Sequence, residues 1–196
     1  RSTLFPYTTL FRSRDLDIQH TYINSIEPLN EMTNLRQLNI SYTPVNDLTP
    51  LVNDKSIEVI IADSTSIRRT EVIALKENQR QVHVVYQTEA LAAWWNELDP
   101  IWQAIFRNAI GTQDETPNAV DLQRIIDLQE LEIGAEYPII SIEPLAGCMW
   151  LERLTINNQS VRDLTPLTNK VYLVELNIQN NPVGSLKPIE NSVMLE

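Results

Sequence analysis

The chain has 196 residues, and 15 Lys and Arg against 26 Asp and Glu leave a formal net charge of −11. That balance argues against nucleic-acid binding, which relies on basic side chains neutralising phosphates, and equally against docking on anionic lipid. Cys148 is the one cysteine, which excludes a disulfide framework and a thiolate metal cluster. No apolar run approaches the roughly 20 residues of a membrane-spanning helix.

The first residues read as foreign. Thr3 to Ser13 spell TLFPYTTLFRS, which is the in-frame translation of the common short-read sequencing adapter. Residues 1–13 are therefore expected to be an assembly artefact, excluded from fold reasoning as an expression tag would be. The native chain is expected to be under way near Arg14 or Asp15.

From Leu16 a motif returns every 22 residues. It reads LRQLNISYTPVNDLTPL from Leu35 and LERLTINNQSVRDLTPL from Leu151. In the first block one column runs Leu16, Leu38, Ile60 and Val82, and a second runs Ile18, Ile40, Ala62 and Val84. A third holds Ile23, Val45 and Ile67, and Pro28 and Pro50 share the interval. The second block repeats the scheme with Leu154 and Leu176, Ile156 and Ile178, Val161 and Val183, Leu164 and Leu186, Pro166 and Pro188. One step is longer: Leu131 to Leu154 is 23, with the extra residue in the loop from Gly134 to Ile139.

Each column has a physical cause. In L-x-x-L-x-I, alternate residues of a short strand point to one side, so the Leu and Ile columns read as core. The L-x-P-L segment reads as a turn on the opposite side, because proline lacks the donor that a strand would need. Thr21, Thr43, Thr65 and Asn181 stand two residues before the third column, where a polar side chain can satisfy backbone groups at the bend. Asp47 and Asp163 hold equivalent positions, so they read as repeat chemistry before catalysis. A single repeat cannot bury its own apolar face, and stacking supplies the core.

Between the blocks the period becomes helical. Leu91, Trp94, Trp95, Leu98, Ile101, Trp102, Ile105 and Ala109 follow i, i+3, i+4 spacing. Helices are expected over about Glu89–Glu97 and Pro100–Ile110, the second capped by Asp99 and ended by Gly111. Thr116-Pro117 signals the start of a third, running into Ile126. The expected organisation is a first array over 14–86, a Trp-rich helical cap or spacer over 87–128, and a second array over 129–196. Leu195 and Glu196 match Leu173 and Val174, so the sequence stops where a next strand would begin, and Leu173 and Leu195 are expected to be exposed there.

The 22-residue motif resembles the bacterial, internalin-like class of leucine-rich repeats over residues 16–86 and about 125–196. The resemblance implies an α/β leucine-rich-repeat solenoid with parallel strands on a concave face, interrupted here by a helical capping segment. It also implies a curved surface for recognising another protein. WWNELDPIWQAIFRNAIG, with the helix start that follows it, resembles the segment preceding the repeats in a group of bacterial leucine-rich-repeat proteins. That implies an N-terminal cap for the second array.

Chemistry-bearing patterns are lacking. His20 and His83 lie on different strands, the sequence has no phosphate-loop, zinc-protease or nucleophile-elbow motif, and its four glycines form no phosphate cradle. No enzyme activity, cofactor or metal is expected, and Cys148 reads as a buried, inert thiol. The expected function is a protein-interaction scaffold whose partner binds on outward-facing strand positions. In the first array these candidates are Asn39, Ser41, Val59, Ile61, Asp63, His83 and Val85, with Tyr42 and Tyr86 just beyond the strands. In the second they are Arg153, Thr155, Asn157, Glu175, Asn177 and Gln179. Val59, Ile61 and Val85 are apolar where solvent is expected, which points either to a contact patch beside Tyr42 or to packing under the neighbouring helices. Two alternatives stand beside this reading: a regulatory segment of a larger enzyme, and a carbohydrate-binding surface built on the tryptophans.

Overall fold

A computed structural model describes residues 13–196; residues 1–12, most of the adapter-like stretch, lie outside the described residues. The chain divides into two compact units, meeting between Glu89 and Ala90.

The first unit carries a parallel sheet of four strands in chain order: β1 (Asp15–Asp17), β2 (Gln37–Asn39), β3 (Val59–Ile61) and β4 (His83–Val85). Leu16 pairs with Leu38 and Leu38 with Ile60, as the spacing predicts. Ile60, however, pairs with Val84 and not with Val82, so this step spans 24 residues. The cause lies in the connection. The earlier strands are joined through short 3-10 turns, Glu27–Glu31 and Thr49–Leu51, whereas β3 and β4 are joined by the α-helix α1 (Arg69–Asn78). A helical turn holds 3.6 residues and rises less per residue than a 3-10 turn, so it takes up more chain over the same path. Val72 and Leu75 are the residues that α1 buries.

Leu35, Leu38, Ile40, Val45, Leu48, Leu51, Ile57 and Ile60 are at most 1% exposed and form the core of this unit, with Leu16 and Ile18 packed partly against it. Two polar side chains are buried beside them. Lys76 Nζ donates to the Val82 carbonyl at 2.8 Å, and Gln79 Nε2 donates to the carbonyls of Leu51 and Val52, both at 2.6 Å. These bonds tie α1 to the preceding turn and to the start of β4.

Helix α2 (Thr88–Glu97) begins at the last residues of the first unit. In the second unit α3 (Pro100–Ile110) opens on Asp99, whose Oδ1 accepts from Ile101 N–H at 2.7 Å, and closes on Gly111 at φ 70°. Helix α4 (Ala119–Ile126) starts later than Thr116-Pro117 predicts: Asn118 is its cap, with Oδ1 accepting from Val120 and Asp121. An amide oxygen that satisfies two of the free N–H groups of the first turn decides the start.

Three parallel strands follow: β5 (Glu130–Ile133), β6 (Arg153–Ile156) and β7 (Glu175–Asn177). Leu131 pairs with Leu154 and Leu154 with Leu176, in steps of 23 and 22. The extra residue falls in the turn after Gly134, whose carbonyl accepts from Tyr137 N–H. Trp95, Trp102, Phe106, Ile125, Leu131, Leu154 and Ile156 share one buried core. Helices and strands thus make a single interior, and the Trp-rich stretch contributes side chains to it.

Leu173 is fully buried, contrary to expectation, and Leu195 is half-buried. The segment after β7 continues through the 3-10 turn Lys187–Ile189, Glu196 N–H donates to the Val174 carbonyl at 3.0 Å, and Ile189 and Leu195 pack partly against the core that holds Leu173. The apolar side chains left open in this last repeat are Leu186, Val193 and Met194.

Candidate binding faces

The turns use one device throughout. Ser25, Asp47, Ser141, Asp163 and Ser185 each accept from the backbone N–H two residues on, ahead of a 3-10 turn with proline near its start. Thr49 and Thr165 hold the Asp47 and Asp163 carboxyls below the usual carboxylate range, through side-chain and then backbone hydrogen bonds. Both aspartates are structural.

The bends after the strands use a second device. Thr21, Thr43 and Thr65 donate to the carbonyls of Ile18, Ile40 and Ala62 at 2.8, 2.6 and 2.7 Å. In the second unit longer side chains stand there and bridge neighbouring repeats. Gln159 accepts from Ile139 N–H and donates to Gly134, while Asn181 accepts from Val161 N–H and donates to Ile156. The residue just before each of these is left-handed: His20, Tyr42 and Ser64 at φ 56, 57 and 54°, Asn158 and Asn180 at φ 58°.

With the strands fixed, the outward side chains of the first sheet fall into two rows. Asp15, Gln37, Val59 and His83 form one, and Asp17, Asn39, Ile61 and Val85 the other. Asn39, Val59, Ile61 and His83 are half-buried and share this face, and Tyr42, 53% exposed, stands at its edge. His20 stacks on Tyr42 with ring centroids 4.3 Å apart and planes at 7°. Sequence reasoning passed over His20 as a contact residue, although it precedes Tyr42 by the repeat interval.

Four expected contact residues are placed otherwise. Val85 is fully buried: it pairs with Ile61, and the chain turns into α2 directly beyond it. Ser41 is only 4% exposed, with its backbone held by the Asn39 side chain. Asp63 is occupied internally, its carboxylate accepting from Thr88 N–H at 3.0 Å and from the Thr88 hydroxyl at the start of α2. Tyr86 packs partly against the core of the first unit.

The face of the second sheet is charged. Glu130, Arg153 and Glu175 align across its strands, and Arg153 makes ion pairs with Glu130 and, at 3.9 Å, with Glu175. Glu132, Thr155 and Asn177 form the next row. Glu130, Glu132, Arg153, Thr155 and Glu175 line a shallow hollow of about 380 Å³, with Ala109 of α3 at its side. Asn157 and Asn177 both accept from Gln179 N–H, so these three gather where the strands end.

Burial pushes the Cys148 thiol up to about 12, and its Sγ faces the Ile125 carbonyl at 3.6 Å. Among the described residues no three His, Cys, Asp or Glu side chains are placed to hold a metal ion, and no helix is long and apolar enough to cross a membrane.

No protein-family model matches the sequence, and no curated protein matches it either. Among solved structures, an internalin (inlF) of Listeria monocytogenes is similar at 19% identity and a TM-score of 0.37, covering 97% of this chain and 48% of its own. Internalin C2 of the same organism is similar at 21% identity and a TM-score of 0.38, covering 96% of this chain and 81% of its own. A leucine-rich-repeat protein of Leptospira interrogans is similar at 16% identity and a TM-score of 0.36, covering 93% of this chain and 59% of its own. The chain thus spans about half the length of the inlF internalin.

Proposed function

We propose that the chain is a non-enzymatic protein-interaction scaffold, a leucine-rich-repeat solenoid that receives a protein partner on the outward faces of its strands. The observation that carries this reading is the composition of the first sheet's face. Val59 and Ile61 stand half-buried and side by side with Asn39 and His83, and Tyr42 is 53% exposed at the edge. A face that served only to close the fold would be polar at these positions; an apolar centre with a tyrosine at its rim is the make-up of an interface anchor. The second sheet's face adds charged and hydrogen-bonding groups, Arg153, Thr155, Glu175 and Asn177, suited to orienting a partner rather than holding it.

The tryptophans favour the scaffold over a carbohydrate surface. Trp95 and Trp102 are 5% exposed, so their area goes into the core, and Trp94 is half-buried against Phe106. The double variant Ile61→Asp, Tyr42→Ala tests the proposal. Its circular dichroism and thermal transition are expected to match those of the parent while binding to the protein partner is lost. Unchanged binding by a folded variant would contradict the reading.

A further inference from the structure

At the bends after β1, β2, β3, β6 and β7 one left-handed residue stands in column, and the same backbone bond sets it in both units. His20, Tyr42 and Asn158 donate their N–H to the carbonyls of Ser41, Asp63 and Gln179 in the next repeat. Side chains of neighbouring repeats meet along this column. In the second unit Asn180 Nδ2 donates to Asn158 Oδ1 at 2.7 Å. In the first, His20 and Tyr42 stack at 4.3 Å, close to the strand spacing of about 4.8 Å. The column then breaks. Its third member is Ser64, exposed and too short to meet a ring, so the Tyr42 face away from His20 stays open.

The choice of residue sharpens the point. Asparagine and histidine take the left-handed region more readily than a bulky tyrosine does, and the second unit shows that Asn serves the bend. The first unit keeps rings at this corner and leaves a place for one more planar group.

We infer that the open place above Ser64 receives an arginine guanidinium of the protein partner, stacked on Tyr42 as the third member of the column. A guanidinium is planar, weakly hydrated and cationic, so it stacks on an aromatic face and is drawn to carboxylates. A carboxylate is at hand: Asp63, which also accepts from Thr88, is the residue next to Ser64, and the chain carries a net charge of −11. An aromatic ring would stack equally well but gain nothing from this charge, and a lysine ammonium would gain the charge without the stacking. The inference rests on the interaction reading above, and adds the chemistry of what is bound.

The test is an NMR titration of the full chain with acetyl-arginine amide, with acetyl-citrulline amide and acetyl-phenylalanine amide as neutral planar probes. The ring resonances of Tyr42 and His20 are followed. The arginine probe is expected to shift the Tyr42 ring saturably, and citrulline to respond about tenfold more weakly. Ser64→Tyr, which fills the place, is expected to abolish the response; should that variant not fold, Tyr42→Leu is expected to leave the His20 ring indifferent to the probe. No saturable shift at Tyr42, an equal or stronger response to either neutral probe, or a full response in the folded Ser64→Tyr chain would overturn the inference. If the partner binds the parent and not the Ile61→Asp, Tyr42→Ala variant while the arginine probe leaves Tyr42 unmoved, the scaffold reading stands and the arginine falls.

Discussion

The side-chain amide of Asn181 donates to the carbonyl of Ile156, one repeat earlier, at 2.7 Å, while its Oδ1 accepts from Val161 N–H at 3.1 Å. One side chain therefore satisfies backbone groups of the neighbouring repeat and holds two repeats together. Asn181→Ala leaves those groups without their partner, and a destabilisation of about 1–3 kcal/mol is expected from chemical denaturation. Thr43 bonds within its own repeat, at the Ile40 carbonyl. Thr43→Val is accordingly expected to be milder, about 1 kcal/mol. Equal effects would show that the bridge between repeats adds nothing.

The strand columns carry the cores. Leu38 and Leu154 are both fully buried and each is paired on two sides, Leu38 with Leu16 and Ile60, Leu154 with Leu131 and Leu176. Leu38→Ala and Leu154→Ala are each expected to destabilise by about 2–5 kcal/mol. A loss below about 1 kcal/mol at either site would contradict its place in the core.

Asp47 and Asp163 give the turns a pH dependence of fixed sign. Hydrogen bonds from Thr49 and Thr165 lower both acids in the folded chain. Their stabilisation is therefore complete above the unfolded carboxylate value of about 3.9 and fades as pH falls through the lower folded values. The stability difference between the parent and an Asp47→Ala, Asp163→Ala chain should be constant near neutrality and shrink on acidification below about pH 4. A difference that grows on acidification would reverse the assignment.

Cys148 is fully buried and its thiol is pushed up to about 12. Because the thiolate is the reacting form, a thiol reagent at neutral pH is expected to label the chain only after unfolding. Rapid labelling of the native protein would show that the site opens to solvent.

The registers were legible because short strands alternate strictly, and Leu16, Leu38 and Ile60 fall in line with that alternation. The alternation also explains the one register that was misread. A slip of two residues keeps every side chain on its own side of the sheet, so the apolar pattern fits Val82 as well as Val84 beneath Ile60. The signal that separates them is the helix-forming run of α1, ArgThrGluValIleAlaLeuLysGluAsn, which the 22-residue period concealed. That slip carried Val85 from a paired strand position to an open one beyond it. Ser41 and Asp63 needed tertiary information of another kind, since no pattern announces that Asp63 holds Thr88.

The most direct test of the scaffold reading is a photo-crosslinking scan with the protein partner. The photoreactive residue is placed singly at Ile61 and Thr155 on the sheet faces, and at the exposed turn positions Glu27 and Glu143. Adducts are predicted from Ile61 and Thr155 and not from the turns. Adducts from Glu27 or Glu143 with silence at both sheet positions would contradict it.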